Sequence, residues 1–201
     1  FVSRQDQALA IGTAVGAMSW FVYDVDPAPH RGSGRRPDRK PDAQPKATPD
    51  GPYVRSISPT ISGLIARASE QHQLVLRVDG RLDYLEAVRR SGLASRLRLQ
   101  IYPNPKRGPK GSPRSPKAIE RDFAMFPVDQ LHQLLRHTCS DHKRETIAFG
   151  RRIESMLGRA HLIAVWKNFI KKRTERRPSQ TTPAMALGLT DAPWTWERVL
   201  S

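Results

Sequence analysis

Two acidic residues stand where their surroundings permit chemistry. Asp79 ends the run Gln73–Val78 (QLVLRV), whose aliphatic and β-branched residues predict a strand, and it is followed by Gly80. Glu145 lies one helical turn before Phe149. Phe149 opens the stripe Phe149, Ile153, Met156, Ala160, Ile163, Trp166 and Ile170, whose steps of three and four mark one face of a long helix over Asp141–Lys172. A carboxylate at the C-terminal end of a strand and one on the inward face of a helix can converge on a divalent cation through hard oxygen ligands. Two such cations activate a water or hydroxyl and stabilise the leaving oxygen in phosphodiester chemistry, with a third carboxylate normally completing the set. The pattern leaves a structural reading open at both positions. A strand-end aspartate is commonly a turn residue, and Glu145 has Lys143, Arg144 and Arg151 nearby in sequence as ion-pair partners. Asp129, on the preceding predicted helix, and Glu154, further along the long one, are the alternatives to Glu145.

Other chemistries find less support. The single cysteine, Cys139, excludes an intramolecular disulfide and any multi-cysteine zinc site. It fits a reducing cytosol and reads as a buried thiol. None of the six histidines has a partner at metal-ligand spacing. There is no nucleophile elbow and no glycine-rich phosphate loop.

The elements that must position the two acids follow from local pattern. Gln7–Val15 and Trp20–Val25 predict two antiparallel strands joined by Gly16–Ser19. Asp24 and Asp26 then read as turn residues before Pro27. Pro27–Pro52 is proline-rich and charged with almost nothing to bury, and predicts a disordered insertion. Ser58–Pro59 predicts a helix start. A strand at Gln73–Val78, a helix at Leu82–Arg90 and a strand at Leu97–Tyr102 follow, an alternation that implies parallel pairing. Pro103–Lys117 predicts a basic loop, and Ile119–Met125 and Val128–His137 two further helices. Thr182–Pro183 opens a last short helix closed by Gly188, after which the chain trails off. The expected class is α/β, a mixed sheet flanked by helices with a helical C-terminal part. Residues 1–177 form the main domain and 178–201 a tail.

The charge points to a partner. Lys and Arg outnumber Asp and Glu by 34 to 19, for a net charge of +15 in 201 residues. Such an excess suits nucleic acid first and an anionic membrane surface second. It is clustered: Lys106, Arg107, Lys110, Arg114 and Lys117 share an acid-free loop, and Lys171, Lys172, Arg173, Arg176 and Arg177 follow the long helix. Both clusters are candidate phosphate contacts. The uncharged run Ala8–Tyr23 falls short of the roughly 20 residues a membrane span needs, so no membrane is expected.

Several segments, in order, resemble insertion-sequence transposases of the DDE type, whose catalytic domain is ribonuclease-H-like. FVSRQDQALAIGTAV is similar to the stretch after the family's first catalytic aspartate. LVLRVDGRLDYLEAV is similar to the segment where the second aspartate ends a strand, here Asp79, before a helix bearing Tyr84. HKRETIAFGRR is similar to the helix of the third acid, here Glu145. VWKNFIKKRTERRPSQTTPAMALGLTDAPWTW is similar to the C-terminal motif and is the most specific match. The resemblance covers nearly the whole chain. It implies a ribonuclease-H-like fold and strand cleavage and transfer on DNA with Mg²⁺ or Mn²⁺, two ions, held by Asp79 and Glu145. It also implies DNA contacts from the two basic clusters, Trp194 and Trp196, a homo-oligomer on DNA, and a cytoplasmic, nucleoid-associated protein of a prokaryote. The chain departs from the family in its Pro27–Pro52 insertion. The first aspartate would fall on a strand upstream of Phe1, so an N-terminal truncation is expected. The alternative expectation is a non-catalytic, nucleic-acid-binding remnant.

Overall fold

The apolar residues of Gln7–Val15 and Val22–Val25 pair as expected. Strands β1 (Gln7–Val15) and β2 (Val22–Arg31) form an antiparallel hairpin, with Thr13 opposite Val25 and Ala14 opposite Asp24. The structure, a computed structural model, describes residues 7–31, 51–106, 108–139, 153–174 and 181–201. β2 runs on through Pro27–Arg31, where a loop was expected. β2 pairs only with β1, and an edge strand tolerates proline because its outer N–H groups need no partner. The remainder of the predicted insertion, residues 32–50, lies outside the described residues.

Helix α1 spans Pro52–Arg67 and begins well before the expected start at Ser58–Pro59. Val54, Ile57, Ile61 and Ile65 form one continuous buried face. Proline inside a helix costs about 3 kcal/mol. Burying Val54 and Ile57, at about 1.5–3 kcal/mol each, offsets that cost, so Pro59 stays inside. The α1 face packs with Ala87, Val88 and Leu97 from the next unit. There, parallel strands β3 (Leu74–Val78) and β4 (Leu97–Ile101) flank helix α2 (Asp83–Ser91). Gly92 ends α2 at φ 67°, a conformation that disfavours a side chain.

The sheet is not continuous: β1–β2 and β3–β4 are separate two-stranded sheets. The second has an open face, with Val75 and Ile101 about half exposed, so among the described residues helices do not flank it on both sides.

Where two helices were expected there is one, α3 (Pro116–Thr138), started by Pro116 behind the Ser115 cap and carried through Pro127. Ser115 Oγ accepts from the Ala118 N–H at 3.2 Å. Burial of Met125, Leu131 and Leu135 on one side holds the two halves together. Lys117 therefore belongs to the first turn of this helix rather than to the loop.

The described part of the long helix is α4 (Ile153–Val165), which ends in a π-helical turn, Trp166–Ile170. Met156, Ala160 and Ile163 are buried as the stripe predicts. The wider turn, closed by Lys171 N–H to Trp166 O at 2.7 Å, shifts the inward side to Lys167 and Asn168, each 5% exposed. α4, α3 and β2 share a second core built from Val22, Val25, Leu131, Leu135, Cys139, Ala160 and Ile163. A 3₁₀ turn at Met185–Leu187 closes at Gly188, and the tail ends in a short helix, α5 (Trp196–Leu200), where no structure was expected.

Candidate functional site

Asp79 sits just past the C-terminal end of β3 and lines a cleft of about 1090 Å³. β1 contributes Gly12 and Thr13 to its wall, α1 contributes Tyr53 and Ser56, and α3 contributes Arg121, Asp129 and His132. The Gly12 N–H donates to Ser56 Oγ at 3.2 Å, and Thr13 Oγ1 meets His132 Nε2 at 2.8 Å. Asp79 Oδ1 accepts from the Arg81 N–H at 3.2 Å, the side-chain-capped turn expected of an aspartate before glycine. Turn residue and cleft residue are thus the same carboxylate. Asp79 makes no ion pair among the described residues.

The nearby cations are engaged elsewhere. The Arg81 guanidinium donates to Asp83 at 2.9 and 3.1 Å and stacks over the Tyr53 ring at 3.6 Å. Arg121 clamps Asp129 and lies 3.6 Å from Asp122, which also pairs with Arg114. The Asp129 hydrogen bond raises the Arg121 pKa, and Arg121 Nε is buried without a partner. Burial, with the Asp79 charge second, pushes the Tyr84 phenol up to about 12, so the phenol is neutral at ordinary pH.

Gly80 lets the chain after β4 close over this end of the sheet. A Cβ there would stand 2.9 Å from Pro103 Cβ. This approach brings Asn104 and Lys106 to the cleft.

The predicted cations divide. Lys106 and Arg114 line the Asp79 cleft, and Lys110 and Lys117 are exposed nearby in sequence. Lys172 is exposed, whereas Lys171 and Arg173 gather at aromatic rings: Lys171 Nζ lies 5.3 Å from the Trp166 ring, and the Arg173 guanidinium 5.0 Å from Trp20. Glu145, Arg107, Arg176 and Arg177 lie outside the described residues, so the Asp79–Glu145 juxtaposition does too. Of the alternatives to Glu145, Asp129 lines the cleft in its clamp with Arg121, and Glu154 is exposed in the first turn of α4. Sequence reasoning missed Arg81, Arg121 and Arg136 in the cleft. Arg81 had a signal, being two residues past Asp79; the α3 arginines had none without the fold.

The C-terminal motif turns out to be a joint. The Asn168 carboxamide bonds Val22 of β2, Asn168 O accepts from the Ala184 N–H at 2.9 Å, and Phe169 O accepts from the Trp194 N–H at 2.8 Å. Trp194 stacks on Phe169 at 4.4 Å and donates its ring N–H to Thr190. Its ring is therefore occupied inside the protein, while Trp196 is 40% exposed.

Among the described residues, no group of three or more His, Cys, Asp or Glu is arranged to hold a metal ion. No helix among them is long and apolar enough to cross a membrane. No family model, no curated protein and no solved structure matches the chain.

Proposed function

We propose that the chain is the catalytic part of a DDE-type insertion-sequence transposase with a ribonuclease-H-like core, acting on DNA by metal-dependent strand cleavage and transfer. One observation carries this reading: Asp79, without an ion pair among the described residues, ends a parallel strand in a cleft rimmed by Arg81, Lys106, Arg114, Arg121 and Arg136. Parallel strands present their C-terminal ends to ligands, and such a rim attracts a phosphate backbone. Asp79 with Glu145, and a third carboxylate on a strand upstream of Phe1, would hold Mg²⁺ or Mn²⁺. The bound metal would activate the attacking oxygen and stabilise the leaving one. Lys106, which makes no ion pair among the described residues, would meet the backbone. Assembly as a homo-oligomer on transposon ends and a place at the nucleoid belong to the same reading.

The experiment is a metal-dependent nicking assay on the full-length gene product. Asp79→Ala and Glu145→Ala each abolish nicking while DNA binding persists. Unchanged nicking in either variant ends the assignment.

One observation favours a non-catalytic, nucleic-acid-binding remnant. The other described cleft aspartates, Asp122 and Asp129, are spent on Arg114 and Arg121. The reading frame upstream of Phe1 separates the two. An in-frame aspartate within about 5–6 residues, one strand's length, supports the enzyme, and its absence supports the remnant.

A further inference from the structure

A second cationic site lies on another face of α3. The β1–β2 turn places Trp20 at φ 62°, in the left-handed region that a bulky residue rarely adopts. Its N–H donates to Gly16 O at 2.9 Å, and the Gly16 N–H donates to Phe21 O at 2.8 Å. The Trp20 ring lies between cations, with Arg173 at 5.0 Å and Lys167 at 5.9 Å. Lys167 is 5% exposed, and its Nζ donates to Gln130 Oε1 at 2.9 Å. Arg173 donates to Met18 O at 2.6 Å, and its Nε is buried without a partner. Neither Lys167 nor Arg173 pairs with a carboxylate among the described residues. Burial, then the neighbouring Lys171 and Arg173 charges, pulls the Lys167 amine down to about 8.

This cluster continues into exposed aromatic surface. Trp20 packs on Phe126 at 5.4 Å. One turn earlier on the same face of α3, Phe123 is 86% exposed, with Ile119 at 57% beyond it. Helical spacing turns Ile119 and Phe123 away from Arg121 and Met125, which line the Asp79 cleft, while Phe126 borders that cleft three residues before Asp129. Aromatic rings flanked by cations that no carboxylate among the described residues pairs suit an unpaired nucleic-acid strand, whose bases stack while its phosphates supply the charge. A duplex keeps its bases stacked inside and leaves such rings bare.

We propose that Lys167, Arg173 and Trp20, with Phe126 and Phe123, form a second nucleic-acid site that takes a single strand, phosphate at the cations and bases on the phenyl rings. This rests on reading the chain as a nucleic-acid protein and not on any chemistry at Asp79. The test is fluorescence anisotropy of the full chain with a labelled single-stranded oligonucleotide and its duplex, in chelator so that cleavage plays no part. Circular dichroism first confirms that each variant folds.

Phe123→Ala weakens single-strand binding roughly five- to hundred-fold, the loss of a stacked base, and leaves duplex binding unchanged. Arg173→Gln reduces the slope of log K against log salt by about 0.7, one phosphate contact on a single strand. Unchanged single-strand affinity in Phe123→Ala, or an equal loss of duplex affinity, overturns the proposal. Displacement of the oligonucleotide by inorganic phosphate at matched phosphate concentration reduces the site to a simple anion site and likewise overturns it. A change in sedimentation coefficient for Phe123→Ala without DNA assigns the face to a second copy of the chain instead.

Discussion

Asn168 and Val22 are joined twice: Oδ1 of Asn168 accepts from the Val22 N–H at 2.8 Å, and its Nδ2 donates to Val22 O at 2.9 Å. The carboxamide satisfies the outer edge of β2 as a neighbouring strand would. It pins the end of the long helix to the hairpin, with the tail bonded to the same turn through Ala184 and Trp194. Asn168→Ala leaves both Val22 groups buried and unpaired. The expected loss is about 2–6 kcal/mol, since each of the two buried orphans costs about 1–3 kcal/mol. Urea denaturation measures it, and a loss below 1 kcal/mol would show the joint to be ornamental.

Lys167 imposes a pH dependence of definite sign. Its amine titrates near 8 in the folded protein, against 10.5 ordinarily. Between these values the unfolded chain holds more protons than the folded one, so stability rises with pH. Below pH 8 the penalty of the buried ammonium is present in full. The gain is at most about 1.4 kcal/mol per pH unit. In Lys167→Met this rise vanishes, and chemical denaturation at pH 8 and pH 10 reads the difference.

Tyr84 reports on Asp79. Replacing the charge in Asp79→Asn brings the phenol down from about 12, while burial keeps it above its usual value. An ultraviolet pH titration, differenced against Tyr84→Phe, follows it. A phenol that does not move would separate the two side chains.

Gly80→Ala drives a methyl group to within 2.9 Å of Pro103 Cβ. Overpacking of this kind costs about 1–3 kcal/mol. Because Pro103 leads into the Lys106 side of the cleft, DNA affinity falls along with stability. A variant that loses stability but binds DNA as before would uncouple the loop from the cleft.

These residues also show what the sequence made legible. The hairpin, the β3–α2–β4 unit, Gly188 and the strand-end position of Asp79 followed from local pattern, because strand alternation and turn chemistry act over a few residues. Pro59 and Pro127 misled, each suggesting a boundary where burial on both sides carries the helix through. The π turn moved Lys167 and Asn168 inward, against a spacing that pointed to Trp166; its closing bond, from the Lys171 N–H to Trp166 O, has no signature in periodicity. The partition of basic residues between the Asp79 cleft and Trp20 required the tertiary fold, because α3 separates cations that composition pools.

The division into two sheets has a mechanical consequence. No ladder of backbone hydrogen bonds crosses between β1–β2 and β3–β4. Among the described residues, the hairpin meets the β3–β4 side through α1, with side-chain contacts such as Thr60 to Asp24 and Ser56 to Gly12, and through α3, while Asn168 fastens its other side. Such a joint behaves as a bearing rather than a weld. Among the described residues, the β1 and β3 walls of the Asp79 cleft are thus joined through the side chains of α1 and α3 and not through a shared ladder.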